Sequence, residues 1–333
     1  MDQANAIIGK SPAMAALLSV LAKAAPTDST VIFTGEPGTG KTLLASILHA
    51  KSRRHAKPFV TADFAAIPRE SQEAEIFGYG EEALAHAPHG KTGLLERAHG
   101  GTLFLDAVHG MDATLQAKLA RALQEKQFEP IGSVHPQKLD ARITAAATAD
   151  LEQEVAAGRF RADLFYRLNV IPIAVPPLRE RGTDVLLLAE AFLGRFCAGE
   201  GRKPPMLSSE ARNILARYAW PGNVRELQTV MERICVTTGG GVIGPEDLPG
   251  AIRHKPGAAS AASRPSKQAG FAWPTLADLT AQGLGLKDFL DEIETRLLAE
   301  TLAQTNGAQS QMAELLKIKR TTLIEKLKKK KLC

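Results

Sequence analysis

Cysteine is scarce in this 333-residue chain. Cys197, Cys235 and Cys333 are its whole complement, and none stands at metal-ligand or disulfide-framework spacing. That excludes a small disulfide-stapled scaffold and a zinc finger, and it points to a reducing, cytoplasmic setting. No apolar run reaches the roughly 18 residues that a membrane helix needs. The start MDQANAIIGK lacks the basic-then-apolar layout of an export signal. No internal repeat is present. Acidic residues are nearly missing from one stretch: Lys317–Lys331 holds eight Lys/Arg against the single acid Glu325, a segment charge of +7 in a chain that totals +5. The remainder is therefore slightly acidic, and the basicity is a C-terminal feature. It favours a polyanionic partner, with a merely solvated helix face as the alternative.

A hydrophobic content of 44% suits one large domain plus a small one. Over residues 7–250, short apolar runs alternate with helical patterns. Val31–Thr34, Phe59–Thr61, Thr102–Leu105 and Arg142–Ala147 read as strands of a parallel sheet. Helical periodicity then dominates Asp184–Phe196 and Ser208–Thr238, as in a small helical subdomain. Residues 251–285 turn to Ala, Ser, Pro, Gly and Lys, the composition of a flexible linker. A new helix is expected from Leu286, with Leu286, Phe289, Leu290, Ile293 and Leu297 on one stripe.

The most specific motif is Gly35-Glu36-Pro37-Gly38-Thr39-Gly40-Lys41-Thr42, which fits G-x-x-x-x-G-K-[ST] in full. It follows the strand VIFT and precedes the helix LLASILHA, the context that gives the motif its meaning. The glycines let backbone N–H groups curl around phosphate oxygens, and the helix N-terminus adds a favourable dipole. Lys41 would reach the β- and γ-phosphates of ATP, and Thr42 would ligate Mg²⁺. Asp106, delivered by the strand TLFLD, is the natural second partner of the magnesium shell.

Taken in order, IIGKSPAM, APTDSTV, the phosphate loop, EIFG, GGTLFLD, LQAKLARALQEKQFEPIG, FRADLFYRLNVIPI, PPLRER and WPGNVRELQ resemble the AAA+ domain of bacterial enhancer-binding proteins, the ATPases that remodel sigma-54 RNA polymerase. The resemblance implies an α/β AAA+ P-loop domain over residues 7–174, a helical lid over 175–250, the linker, and an all-α Fis-type helix-turn-helix domain over 286–333. It implies that Arg161 and Arg167 are arginine fingers reaching a neighbour's γ-phosphate, that Arg225 is the lid's nucleotide-sensing arginine, and that the chain forms a hexameric ring. The resemblance begins with the AAA+ domain itself, so no receiver or sensor domain is expected before it. The C-terminal stretch GLKDFLDEIE…LKIKRTTLIEKLKK most resembles the flagellar master regulators of that family. Trp220 is expected in the lid core. His86 and His89 read as surface histidines.

Against this pattern four places depart. Where the family has Asp-Glu, this chain has Asp106-Ala107, and a methyl group cannot orient or deprotonate the attacking water. Asp63 stands where an asparagine holds that glutamate; Asp63 as a substitute base remains an open alternative. The sensor Thr-Asn is Ala147-Thr148, which leaves Thr148 as the remaining polar contact. The GAFTGA loop that touches sigma-54 is Glu82-Ala83-Leu84-Ala85-His86-Ala87, without its glycines, aromatic or threonine. The Gln3–Ala6 and Ser46-Ile47 positions lack the arginines with which flagellar regulators hold a cyclic dinucleotide, so that ligand is not expected.

At the C-terminal end, Met312, Leu315 and Leu316 form the apolar face of a second helix. A third begins near Arg320-Thr321-Thr322, with Thr322 and Glu325 spaced as a capping box. Leu323 and Leu327 would face inward. Arg320, Thr321 and Thr322 would meet bases or phosphates of double-stranded DNA, with Lys319 and Lys326 on phosphates. The first helix would dimerise. A helical hairpin for protein contacts is the bland alternative. Together these readings describe a sequence-specific DNA-binding regulator on an ATP-binding ring, impaired in hydrolysis and in sigma-54 contact. It could act alone or in mixed rings with an intact paralogue. The competing reading is a working sigma-54-dependent activator ATPase.

Overall fold

The computed structural model describes residues 7–80, 90–133, 135–199, 201–238 and 240–253. From the C-terminal segment it describes 287, 291, 295, 298, 301–302, 309, 312–313, 316, 318 and 320–330. The chain divides into two compact units, Met1–Ala259 and Ser260–Cys333.

The first unit is built on five strands: β1 (Val31–Thr34), β2 (Phe59–Asp63), β3 (Thr102–Asp106), β4 (Arg142–Ala147) and β5 (Ile171–Ala174). They lie in the order β2-β3-β4-β1-β5, all parallel. Both faces of a parallel sheet are covered, so its strands are apolar at successive positions and not only at alternate ones. Leu103 and Leu105 face one core while Phe104 faces the other. The fifth strand contains Pro172, which has no N–H to give a ladder. An edge position accommodates it, and the edge is where β5 lies.

Helix α1 (Pro12–Ala24) starts on the Ser11 hydroxyl, which accepts from Met14 N, with Pro12 in the first turn. At its far end Arg142, 1% exposed, donates to the carbonyls of Ala24 and Ala25 at 2.8 and 2.9 Å. A buried guanidinium thus meets the negative end of a helix dipole. Helix α2 (Lys41–Ala50) follows the phosphate loop; α3 (Arg69–Phe77), α4 (Ala113–Glu125) and α5 (Ala162–Leu168) complete the covering layers.

The lid comprises α6 (Asp184–Gly199), α7 (Ser209–Arg217) and α8 (Asn223–Thr237). The helical periodicity over Ser208–Thr238 is carried by two helices. Pro221-Gly222 breaks it, and Trp220 takes a left-handed φ of 50°. Trp220 is fully buried among the lid's apolar residues, where its indole N–H donates to Leu215 O at 2.9 Å. The same core reaches Ile252. Cys197 on α6 and Cys235 on α8 are buried, with their sulfurs 3.0 Å apart.

In the second unit, Leu298, Met312, Leu323 and Leu327 form a small buried cluster. Helix α9 runs Arg320–Lys329. It begins at Arg320, so Thr322 stands inside the first turn and not at the cap that the Thr322/Glu325 spacing suggested. Leu286, Phe289, Leu290, Ile293, Leu297, Leu315 and Lys319 lie outside the described residues, as do Gln3–Ala6 and Glu82–Ala87 of the altered loop with His86 and His89.

Candidate functional site

The strand order sets the site. Three adjacent strands, β3, β4 and β1, end side by side, and each delivers one group. The first supplies Asp106, the second Thr148, the third the phosphate loop that opens at Gly35. Ligands of open α/β sheets bind outside the carboxyl ends of such strands.

A cleft of about 670 Å³ lies there, lined by Pro37 through Leu44 with Asp63, Asp106, Ala107, His109, Thr148 and Arg225. Ile7, Ile8, Leu188 and Phe192 line it too, adding an apolar part. The loop's glycines are required. Gly38 has φ +77°, and a Cβ there would stand 2.3 Å from Gly222 O, where the lid closes on the loop; at Gly35 it would stand 2.6 Å from Val175 O.

Lys41 is 7% exposed and its Nζ donates to the carbonyls of Gly35 and Glu36 at 2.8 and 2.9 Å. Burial pushes its pKa down, while Asp106 and Glu36 pull it up. Thr42 Oγ1 donates to Asp106 Oδ2 at 3.0 Å, and Asp106 Oδ1 accepts from Ala107 N at 2.8 Å. A hydroxyl and a carboxylate at that spacing are hard oxygen donors of the kind magnesium takes beside a nucleotide's own phosphates. Ala107 follows with φ 55° and ψ 45°. Asp63 lies directly across from Asp106 in the sheet register, its carboxylate accepting from Ala65 N.

Glu36 behaves differently from its loop neighbours. Its carboxylate is gripped by both terminal nitrogens of Arg179 at 2.7 and 2.9 Å and by Asn223 Nδ2 at 3.0 Å. The hydrogen bonds from Arg179 hold it below the usual carboxylate range. It ties the loop to the lid, while its carbonyl serves Lys41 and Thr39. Arg181, 4% exposed, donates to Thr39 O and reinforces that join. Arg225 lines the cleft, and its backbone N–H donates to Gly38 O.

Arg161 and Arg167 do not line their own chain's cleft. Arg161 is ion-paired with Asp163 at 2.8 Å and half-exposed; Arg167 donates to Gln124 Oε1 at 2.9 Å. The residue that motif reading missed is His109, in the short helical turn after Asp106. Its Nε2 lies 3.3 Å from Thr148 Oγ1, and its buried Nδ1 has no partner. Burial lowers its pKa, and Lys41 adds to that, against the pull of Glu154 and Asp106. Its one signal in the sequence was an imidazole three positions past the strand's aspartate.

Comparison with known families agrees with this architecture. Residues 7–174 match the Sigma-54 interaction domain, 179–265 the AAA+ ATPase lid domain, and 289–329 the Fis family of bacterial regulatory proteins. The chain is 40% identical to the regulatory protein AtoC of Escherichia coli K12, over 96% of this chain and 67% of AtoC. It is 37% identical to the transcriptional regulatory protein FlbD of Caulobacter vibrioides, over 98% of this chain and 70% of FlbD. Among solved structures it is similar to NtrX from Brucella abortus in complex with ADP, with TM-score 0.70 and 34% identity over 99% of this chain and 69% of NtrX. The chain belongs to the family of sigma-54-dependent transcriptional regulators, with an AAA+ P-loop domain, a helical lid and a C-terminal Fis-type DNA-binding helix-turn-helix.

Proposed function

We propose that the chain is a sequence-specific, DNA-binding transcription regulator of the cytoplasm whose ring-forming AAA+ domain binds ATP and hydrolyses it weakly or not at all. The observation that carries this reading is the pairing of a complete phosphate cradle with Ala107 directly after Asp106. Pro37–Thr42 would hold the phosphates, and Arg225 would reach them from the lid. Thr42 and Asp106 would hold Mg²⁺, which screens phosphate charge when bound. The ADP held by NtrX supports a nucleotide in this cleft. No carboxylate follows Asp106 to take the proton of an attacking water, and losing a general base costs roughly 10²–10⁴ in rate.

Arg161, half-exposed, and Arg167, partly buried, both lie away from their own cleft and suit fingers offered to a neighbour's nucleotide in a hexamer. The replaced loop at 82–87 argues against productive contact with sigma-54 polymerase. Repression, nucleotide-gated DNA binding, or damping of an intact paralogue in mixed rings are the outcomes open to such a protein. In the second unit, burial of Leu323 and Leu327 leaves Thr321 exposed on α9. That supports α9 as the recognition helix. Lys319, Arg320, Thr321, Thr322 and Lys326 are the proposed DNA contacts, and the first helix of that unit, expected from Leu286, is the proposed dimer contact. A flagellar role rests on the resemblance of the C-terminal stretch.

The test is ATP binding and ATP turnover on one purified sample, at concentrations that assemble rings, with Lys41→Ala as the non-binding control. Binding without turnover above the control is expected. Robust turnover would overturn the impairment and restore the reading as a working sigma-54 activator.

A further inference from the structure

We propose that His109 is a positioning residue for a γ-phosphate contact: its imidazole holds the Thr148 hydroxyl so that the cleft takes a nucleoside triphosphate in preference to the diphosphate. This rests on the reading of the cleft as an ATP site, and it names the groups that would tell one nucleotide state from the other.

The geometry has three parts. Thr148 follows β4, between the strand that feeds the phosphate loop and the strand that ends in Asp106. A phosphate chain held by the loop and by a cation on Thr42 and Asp106 must therefore pass the tip of β4. Thr148 is exposed there and lines the cleft. His109 reaches the same hydroxyl from the turn after β3, with Nε2 at 3.3 Å from Oγ1.

The tautomer follows from burial. Nδ1 is buried with no hydrogen-bond partner. Orphaned buried N–H groups are rare, and a bare acceptor is the lesser cost. Desolvation keeps the ring neutral near pH 7, so its one proton belongs on Nε2, donating to Thr148 Oγ1. The threonine's own proton is then free to turn into the cleft. With the hydroxyl's acceptor side occupied, Thr148 is set as a donor, the role that a terminal phosphate oxygen requires.

The test compares affinities for ADP and for the β,γ-imido analogue of ATP, both with magnesium, so that turnover plays no part. Wild type is expected to favour the analogue. Thr148→Val and His109→Phe should each reduce that preference about tenfold, the weight of one hydrogen bond to a charged group. His109→Gln retains a donor near the Nε2 position and should keep most of it. The double variant His109→Phe/Thr148→Val should lose no more than either single, because the two act through one contact. ¹⁵N NMR of the nucleotide-free protein should place the imidazole proton on Nε2.

Equal loss of both affinities in His109→Phe would mean a merely structural role and would overturn the proposal. So would additive losses in the double variant, or a proton on Nδ1. Thr148 is exposed, so Thr148→Val keeps the comparison available if the histidine variant folds poorly. Wild type that binds neither nucleotide would remove the ATP reading itself, and this inference with it. Tight binding with no preference for the analogue would remove this inference alone.

Discussion

Ala107 occupies the point where β3 hands its chain to the cleft, with backbone angles already set in the left-handed region. The fold imposes that conformation, since alanine has no preference of its own for it. A longer side chain attached there would leave from the same backbone. Ala107→Glu is therefore expected to raise ATP turnover by about 10²–10⁴, read as phosphate release at ring-forming concentrations. Unchanged turnover would mean that another group, with Asp63 the nearest carboxylate across the sheet, already serves. At this scale the phosphate loop was legible in the sequence because its chemistry is carried by contiguous residues. His109 was not, because its meaning depends on a threonine 39 positions away. Glu36 was legible as part of the loop, but its ion pair with Arg179 depends on how the lid docks.

Elements were legible where the apolar pattern was long, and least so where one residue decides. The edge strand β5 was missed because IPIA is short and carries a proline. The helical periodicity over Ser208–Thr238 did not show the break at Trp220-Pro221-Gly222, which turns the chain so that the indole enters the lid core. The three cysteines looked scattered, yet packing of α6 on α8 brings Cys197 and Cys235 into contact. Trp220 both fills the space between the lid helices and donates to Leu215 O. Trp220→Ala should cost about 3–5 kcal/mol, the range for deleting a buried aromatic, measured by urea denaturation of the full chain. A loss below about 1 kcal/mol would show that the lid collapses into the vacancy.

For the whole molecule, pH acts through a few tied groups. His49 lies between Thr102 Oγ1 and the Lys57 carbonyl at 2.9 and 3.1 Å. The carbonyl can only accept, so Nε2 carries a proton. Burial lowers its pKa from 6.5. A depressed histidine contributes stability that is fully present above about 6.5, the unfolded value, and is lost as pH falls through the folded one. His109 acts in the same direction. Denaturation midpoints should thus fall as pH drops below about 6.5, and His49→Gln, which does not titrate, should flatten part of that slope. An unaltered slope would remove His49 from the account. Asp28 and Asp140 share Arg54 at 3.1 and 2.9 Å, and its hydrogen bonds lower both below 3.8. Their contribution is present above that value and disappears in stronger acid.

The strand order also has a consequence in time. The next-to-edge strand β1 pairs only with β4 and β5, and Val31 meets Thr144 and Ile171. During synthesis at about 5–20 residues per second, the roughly 110 residues between β1 and β4 take about 6–20 s to make. Throughout that interval β1 has neither neighbour, and the phosphate loop behind it has no sheet to stand on. The nascent chain carries its nucleotide-binding motif well before it owns a nucleotide-binding site.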